Sequence, residues 1–150
     1  MTLTADSDIA RVLSATRRIA LLGASHKPER PSHEVMAFLL ASGYQVYPVN
    51  PGLAGQQLLG CRVYPTLAAI PVAIDMVDVF RQSQYLPAIV EEAIACGAKT
   101  LWTQLGVVDA QAAATAERAG LAVVMDRCPA IELPRLRAAG LVPVRQAAQP

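Results

Sequence analysis

A loop that follows the first apolar run carries residues suited to holding a phosphate. The run Arg18–Leu22 is followed by Gly23-Ala24-Ser25, and Ser32 stands where an apolar stripe of helical spacing begins. A glycine at the end of a buried strand permits a sharp turn and a close approach of phosphate oxygens to the backbone. The free N–H groups of a helix N-terminus also favour an anion. The loop therefore predicts a phosphate cradle, with an ordinary strand-to-helix turn as the alternative.

The spacing of this loop departs from the common nucleotide-binding motifs. It is neither the GxGxxG pattern of dinucleotide sites nor a Walker A loop. An NAD site would also place an acidic residue about 20 residues beyond the glycines, at the end of the second strand. The sequence has Val49-Asn50-Pro51 there, and no Asp or Glu occurs from Val35 to Thr66. NAD is therefore a disfavoured alternative ligand.

The histidines and carboxylates form no recognisable catalytic set. His26 lies in the loop and His33 in the first turn of the following helix. A catalytic histidine needs an orienting partner, and the sequence names none for either. Asp75 and Asp78 lie within one apolar strand at a spacing of three, which places them on opposite faces. We predict no catalytic residue and a structural role for these carboxylates.

The cysteines indicate neither a metal site nor a disulfide framework. Cys61, Cys96 and Cys128 are odd in number and form no CxxC pair, so a reduced, cytoplasmic protein is the simplest interpretation. Cys128 follows the last apolar run, beside Arg127, whose charge favours a thiolate. We favour the alternative of a packed, inert cysteine, since free cysteines are among the most buried residues.

Alternating strand-like and helix-like segments must position these residues. Short apolar runs bounded by turn residues are typical of strands buried on both faces of a parallel sheet. Alternation with helical patterns predicts right-handed crossovers and an α/β, Rossmann-like doubly wound sheet of about five to six strands with helices on both faces. Ligands of such sheets bind outside the carboxyl ends of the strands. The predicted strands are Arg18–Leu22, Tyr44–Val49, Arg62–Tyr64 (an edge strand), Ile74–Phe80, Thr100–Gln104 and Ala122–Met125.

The predicted helices leave one domain and a short tail. They cover about residues 6–15, 32–42, 83–96, 109–120 and 130–138, with Asp109 as a cap. A further short helix opens at Thr66 and closes before Pro71. The 150 residues suit a single domain. We place that domain at residues 1–140 and predict a frayed tail at 141–150, because the tail shows no apolar periodicity.

Composition excludes several classes of partner. The chain is 53% hydrophobic, but its apolar runs are much shorter than the roughly 20 residues that a membrane span needs. The formal net charge is +1, without a run of Lys or Arg, which disfavours nucleic acid as a partner. The first residues lack the basic and apolar regions of a secretory signal. The expected location is therefore the cytoplasm.

Several segments in the same order resemble a known family. The chain is similar to the small single-domain CoA-binding proteins. It is also similar to the N-terminal CoA-binding domain of the succinyl-CoA synthetase α subunit and of ADP-forming acyl-CoA synthetases. The similarity spans roughly residues 10–138. The segments that carry it are Gly23–Ser32, Tyr47–Pro51, Asp75–Arg81, Gly97–Val107 and Val124–Pro129.

The resemblance implies coenzyme A as the ligand and assigns it a place along the predicted sheet edge. The first loop would lie against the pyrophosphate, the end of the second strand would border the adenosine, and the end of the fourth would line the rest of the groove. The implied CoA-binding residues are Gly23, Ala24, Ser25, Lys27, Pro28, Arg30, Pro31, Ser32, Val49, Asn50, Pro51, Val79, Phe80 and Arg81.

The cations that would hold the 3′-phosphate of CoA differ from those of the family pattern. The candidates are Lys27, Arg30 and Arg81. Arg81 ends an apolar strand at the predicted binding edge, whereas solvated surface charges are an equal alternative for Lys27 and Arg30. In the synthetase relatives a lysine follows the strand-two proline and helps to bind CoA. Leu53 stands at about that place here, so one phosphate contact is missing or replaced.

The resemblance leaves more than one function open. The synthetases act through a phosphorylated histidine in a second domain, which these 150 residues do not include. We expect a non-catalytic module that binds CoA or acyl-CoA as a sensor or carrier. The alternatives are a detached subunit of an acyl-CoA synthetase or transferase that needs a separate catalytic chain, and an NAD or adenine-nucleotide binding domain. A protein partner is compatible with each.

Overall fold

One five-stranded parallel sheet organises the protein in the computed structural model, which describes residues 1–146. Its strand order is β2-β1-β5-β6-β7. Almost every residue of these strands is shielded from solvent, as is typical of a parallel sheet covered on both faces. The predicted α/β class and parallel sheet are confirmed. The strands are β1 (Arg18–Leu22), β2 (Gln45–Val49), β5 (Met76–Val79), β6 (Thr100–Thr103) and β7 (Ala122–Val124).

The predicted edge strand over Arg62–Tyr64 is not part of this sheet. A small antiparallel hairpin forms instead, from β3 (Gln57–Leu58) and β4 (Cys61–Arg62). Tyr64 makes only a single bridge to Val49 of β2. Pro65 follows immediately and has no N–H to extend a ladder. The sequence pattern therefore located a segment that contacts the sheet edge, but it predicted a longer strand than the structure contains.

Five α-helices within residues 1–146 cover the two faces of the sheet. Helices α1, α2 and α5 pack on the face that carries Ile19, Leu21 and Trp102. Helices α3 and α4 pack on the opposite face, with the alanines of α4 lying close to the sheet. As predicted, the Asp109 side chain caps α4, accepting from the N–H groups of Gln111 and Ala112. The helices are α1 (Asp6–Ala15), α2 (Pro31–Ala41), α3 (Leu86–Ala95), α4 (Ala110–Arg118) and α5 (Pro129–Ala138).

The start of the tail is packed rather than frayed. Val142 is only 4% exposed, and the Arg145 guanidinium donates to the carbonyl oxygen of Thr16 at 2.8 Å. The same guanidinium lies 5.0 Å from the centre of the Tyr44 ring. The predicted fraying therefore does not extend to Val142 and Arg145, whereas the side chains at 141, 143, 144 and 146 are exposed, and the boundary at residue 140 stays a prediction. Residues 147–150 lie outside the described part of the chain.

No helix within residues 1–146 is long and apolar enough to span a membrane.

Candidate functional site

The strand order reverses between β1 and β5, and their carboxyl ends bound a crevice. From β1 the chain runs to β2 on one side and later returns to β5 on the other. Ligands of open parallel sheets bind at such a reversal. Gly23 directly follows β1 with φ +87°, a conformation that side chains other than glycine rarely adopt. A Cβ added to Gly23 would lie 2.9 Å from the Phe80 carbonyl oxygen, so a glycine is required both by its backbone conformation and by the neighbouring strand end.

A polar cavity of about 410 Å³ opens above this reversal. It is bounded by the loop after β1, the N-terminus of α2 and the loop after β2, and we call it the phosphate cavity. The structure thus brings together most of the predicted pyrophosphate residues and adds Leu53 to them. The lining residues are Gly23, Ser25, His26, Lys27, Arg30, Pro31, Ser32, Asn50, Gly52, Leu53 and Phe80.

Asn50 holds the loop rather than offering a free side chain to a ligand. Its Nδ2 donates to the Ala24 carbonyl oxygen at 2.8 Å, and its Oδ1 accepts from the Gly52 N–H at 2.8 Å. The N–H groups of Gly23 and Ala24 both donate to the Val49 carbonyl oxygen, at 3.1 and 3.2 Å. These bonds tie the loop after β1 to the end of β2. The pair of strand ends therefore forms one preorganised unit.

Two of the amides that remain for an anion belong to serines. Among residues 1–146, the N–H groups of Ser25 and Ser32 donate to no protein acceptor. Ser32 lies in the first turn of α2 after Pro31, where the helix dipole favours negative charge. The side chains of Lys27 and Arg30 are exposed at the same cavity. The phosphate cavity thus combines free amides, a helix N-terminus and cations.

A second cavity, of about 480 Å³, continues on the β2 side and contains the predicted adenosine residues. We call it the adenosine cavity. Arg81 is exposed at its rim, with its guanidinium 4.4 Å from the centre of the Tyr85 ring. This stacking holds the cation over the cavity. The lining residues are Leu22, Gly23, Val49, Asn50, Pro51, Pro65, Thr66, Phe80, Arg81, Tyr85, Ala88, Ile89 and Glu92.

Some predicted site residues line neither cavity. Val79 is completely buried, in the core beneath α3. Successive residues of a strand face opposite sides of the sheet, so Val79 points into this core while Phe80 reaches the crevice. Ala24 is 2% exposed and packs in the core of the opposite face. Pro28 is exposed outside both cavities. The side chains of Ala24 and Val79 therefore support the site from behind, and a role of these two residues in CoA binding stays a prediction.

A third cavity, of about 400 Å³ and mainly apolar, adjoins the phosphate cavity through Pro31 and Phe80. We call it the apolar cavity. It lies between the N-termini of α2 and α5 and the loop after β6. The sequence pattern pointed to these loops only as strand ends and assigned Gln104 and Leu105 no role. The lining residues are Pro31, Glu34, Val35, Phe80, Gln104, Leu105, Val107, Cys128 and Ala130.

Asp75, which immediately precedes β5, and Asp78 within β5 have separate structural environments, as their spacing predicts. Asp75 accepts from the N–H groups of Arg17 and Arg18, both at 3.0 Å, at the amino end of the sheet. Asp78 is fully buried in the middle strand of the sheet. Gln104 Nε2 donates to Asp78 Oδ1 at 2.9 Å. Burial raises the pKa of Asp78 to about 7, and the Gln104 hydrogen bond acts against this rise.

Cys128 lies in the wall of the apolar cavity but is not activated by Arg127. The guanidinium of Arg127 is paired with Glu132 at 2.9 Å. Burial raises the pKa of the Cys128 thiol, and the backbone amides of Ala130 and Ile131 lower it by less. The hypothesis that Arg127 favours the thiolate is therefore not supported. A thiol with a raised pKa fits the interpretation of Cys128 as an unreactive residue.

Comparison with known proteins agrees with this geometry. Residues 17–134 match the family model described as the CoA binding domain. The chain belongs to this CoA-binding domain family. The match runs from β1 into α5, so it includes all three cavities.

Relatives of this CoA-binding domain include small proteins of similar length. The chain is 36% identical over 122 residues to the uncharacterized protein YneT of Bacillus subtilis, covering 81% of this chain and 89% of that protein. A hypothetical protein from Pyrococcus horikoshii OT3 has a solved structure that superposes with a TM-score of 0.85 at 42% identity, over 89% of this chain and 93% of that one. The fold thus recurs as a small protein.

A longer relative carries a related domain. The chain is 31% identical over 87 residues to subunit alpha of the ADP-forming acetate–CoA ligase I of Pyrococcus furiosus, covering 55% of this chain and 18% of that subunit. The CoA-binding domain is therefore related to part of an acyl-CoA synthetase subunit, as the sequence resemblance predicts.

Proposed function

We propose that the protein is a non-catalytic module that binds CoA or acyl-CoA, as a sensor or carrier in the cytosol. The observation that carries the proposal is the position of Phe80, which lines all three cavities. One strand end thus joins a cationic cavity, a cavity bordered by the end of β2, and an apolar cavity. CoA has matching parts in the same connectivity: a pyrophosphate, a phosphorylated adenosine and an uncharged thiol-bearing arm.

The phosphate cavity supplies the main recognition of charge. The amides of Ser25 and Ser32 approach one cavity in which Lys27 and Arg30 are exposed. Charge-assisted hydrogen bonds from such donors are roughly twice as strong as neutral ones. Leu53 lines the same cavity where the synthetase relatives carry a lysine. Arg30 and Lys27 therefore replace that cation from the opposite wall.

Replacing Arg81 by alanine tests the assignment of the 3′-phosphate. We expect the dissociation constant for CoA to rise about tenfold, since a hydrogen bond to a charged group is worth roughly 1.5–3 kcal/mol and this one is partly exposed to water. Dephospho-CoA, which lacks the 3′-phosphate, should bind the wild type and Arg81→Ala with equal affinity. Isothermal titration calorimetry measures both ligands.

The matched control for this substitution is Arg62→Ala. Arg62 is also exposed and stacks on a tyrosine, Tyr64, at 5.9 Å, but it lines neither ligand cavity. Its loss should leave CoA binding unchanged. Equal weakening of CoA and dephospho-CoA by Arg81→Ala would refute the assignment of the 3′-phosphate to Arg81.

A second candidate function is that of a detached synthetase subunit. The similarity to subunit alpha of the acetate–CoA ligase favours it, because that relative contains a related domain within a much longer chain. Purification of the protein from the cells that produce it distinguishes the detached subunit from the independent module. A subunit is expected to elute with a synthetase-like catalytic chain in a fixed ratio, whereas the independent module elutes with CoA alone.

A further inference from the structure

The buried pair Asp78 and Gln104 needs an explanation beyond the stability of the fold. Asp78 is 0% exposed in the middle of an apolar strand. Its Oδ1 accepts from Gln104, but its Oδ2 has no hydrogen-bond partner among residues 1–146. A buried polar atom without a partner costs about 1–3 kcal/mol. An apolar residue of similar size would avoid this cost, so the carboxylate is expected to have a role at the neighbouring site.

The strand register places this pair beneath the apolar cavity. Asp78 of β5 pairs with Trp102 of β6, and Gln104 lies two residues beyond Trp102 on the same face. Phe80 lies two residues beyond Asp78 and also reaches the cavity wall. Gln104 is 7% exposed, and the surface that remains open lines the apolar cavity. Asp78 therefore lies behind a residue that faces the ligand region.

The hydrogen bond to Asp78 fixes which end of the Gln104 amide faces inward. Because Nε2 donates to the carboxylate, the carbonyl oxygen Oε1 points away from it. This oxygen accepts no hydrogen bond from the described residues and is not among the buried unpaired atoms. It is thus the polar group that Gln104 presents to a cavity whose other lining residues are apolar apart from the exposed Glu34 and the thiol of Cys128. An acceptor in such a wall selects a ligand with an N–H donor.

We propose that Gln104 accepts a hydrogen bond from an amide N–H of the thiol-bearing arm of CoA, and that Asp78 is the positioning residue that orients it. The inference rests on the proposed function, since it assigns one part of the CoA molecule to the apolar cavity. The arm contains two secondary amides separated by methylene groups, which matches a mainly apolar wall that carries a nearly buried, oriented acceptor. Cys128 lies in the same wall and reports on occupancy of the cavity.

Two ligands separate this inference from the proposed function. CoA carries the amide arm, whereas adenosine 3′,5′-bisphosphate carries the phosphorylated nucleoside without it. We expect Gln104→Leu to raise the dissociation constant for CoA about five- to tenfold and to leave adenosine 3′,5′-bisphosphate unchanged in calorimetric titrations. The matched control is Gln57→Leu, an exposed glutamine in the hairpin outside the cavities.

Variants of Asp78 distinguish positioning from a purely structural role. Asp78→Asn retains an oxygen that accepts from Gln104 and should keep CoA affinity within about twofold of the wild type at pH 8. Asp78→Val removes the acceptor and should weaken CoA as Gln104→Leu does, again without an effect on adenosine 3′,5′-bisphosphate. If Asp78→Val does not fold, the Gln104→Leu result and the cysteine measurement below decide the matter.

Alkylation of Cys128 by N-ethylmaleimide locates the arm directly. Saturating desulfo-CoA, which keeps the amide arm but has no thiol to consume the reagent, should slow modification of Cys128 at least fivefold, whereas adenosine 3′,5′-bisphosphate should not, with Cys61 and Cys96 as internal references outside the cavity. The inference is overturned if Gln104→Leu loses affinity for both CoA and adenosine 3′,5′-bisphosphate, or if its affinity for CoA is unchanged. Either result leaves the proposed function intact. Wild-type protein that binds neither ligand would overturn the proposed function, and the inference with it.

Discussion

Replacing Gly23 by alanine is expected to lower the free energy of unfolding by about 2–4 kcal/mol and to weaken CoA binding at least tenfold. The first part of the cost is backbone strain, because φ at this position is +87°. The second part is steric, because the new Cβ would meet the Phe80 carbonyl oxygen at 2.9 Å. This steric contact is relieved only if the ends of β1 and β5 separate. Their separation displaces Phe80, the residue that lines all three cavities.

Gly55→Ala is the matched control for Gly23→Ala. Gly55 has nearly the same backbone conformation, with φ +84°, but a Cβ there would meet no atom within 4 Å. It should therefore show only the conformational cost, about 1–2 kcal/mol, and normal CoA affinity. Urea denaturation and calorimetry measure both effects. Equal losses of stability and of affinity in the two variants would contradict the close contact between β1 and β5.

Asp78→Asn is expected to stabilise the protein above neutral pH. The pKa of Asp78 is raised from its ordinary 3.8 to about 7 by burial. Between these two pKa values, the Asp78 carboxyl is ionised in the unfolded chain but protonated in the folded protein. The free energy of unfolding of the wild type therefore falls as the pH rises from about 4 to 7. Each pKa unit corresponds to about 1.4 kcal/mol, which sets an upper bound of about 4 kcal/mol on the cost of ionisation.

The expected difference between Asp78→Asn and the wild type is therefore small near pH 4 and largest above pH 7. The asparagine keeps the hydrogen bond from Gln104 while removing the buried charge. Urea denaturation at pH values from 4 to 9 gives the difference directly. A variant that is less stable than the wild type at pH 8, or a difference that does not change with pH, would contradict the burial of an ionisable carboxylate at this position.

The parallel sheet and the loop after β1 were predictable because their signals are local. The apolar run Arg18–Leu22 and the glycine that follows it specify a buried strand and a turn without knowledge of the rest of the fold. The cap formed by Asp109 is likewise a short-range pattern. Contacts within a few residues therefore account for most of what the sequence revealed.

The Asp78–Gln104 pair was not predictable because it depends on strand register. The residues are 26 positions apart, and they meet only because Asp78 pairs opposite Trp102 when β5 and β6 align. Spacing alone placed Asp75 and Asp78 on opposite faces, but it did not show which one is buried under the crevice. The position of Val79 has a related cause: a strand end directs alternate side chains into the crevice, so the Val79 side chain lies in the core.

The packing of residues 141–146 also depends on distant partners. Arg145 interacts with Tyr44 and with carbonyl oxygens at the end of α1. Tyr44 itself donates to the Leu13 carbonyl oxygen at 2.7 Å. No apolar periodicity marks such a segment, since one cation and one buried valine provide the contacts.

Calorimetric titration of the purified protein with CoA and with NAD tests the central claim most directly. The phosphate cavity, the stacked Arg81 and the absence of an acidic residue from Val35 to Thr66 all favour CoA. We expect a saturable isotherm with one CoA per chain and no measurable heat of binding for NAD under the same conditions. Saturable binding of NAD without binding of CoA would contradict the account.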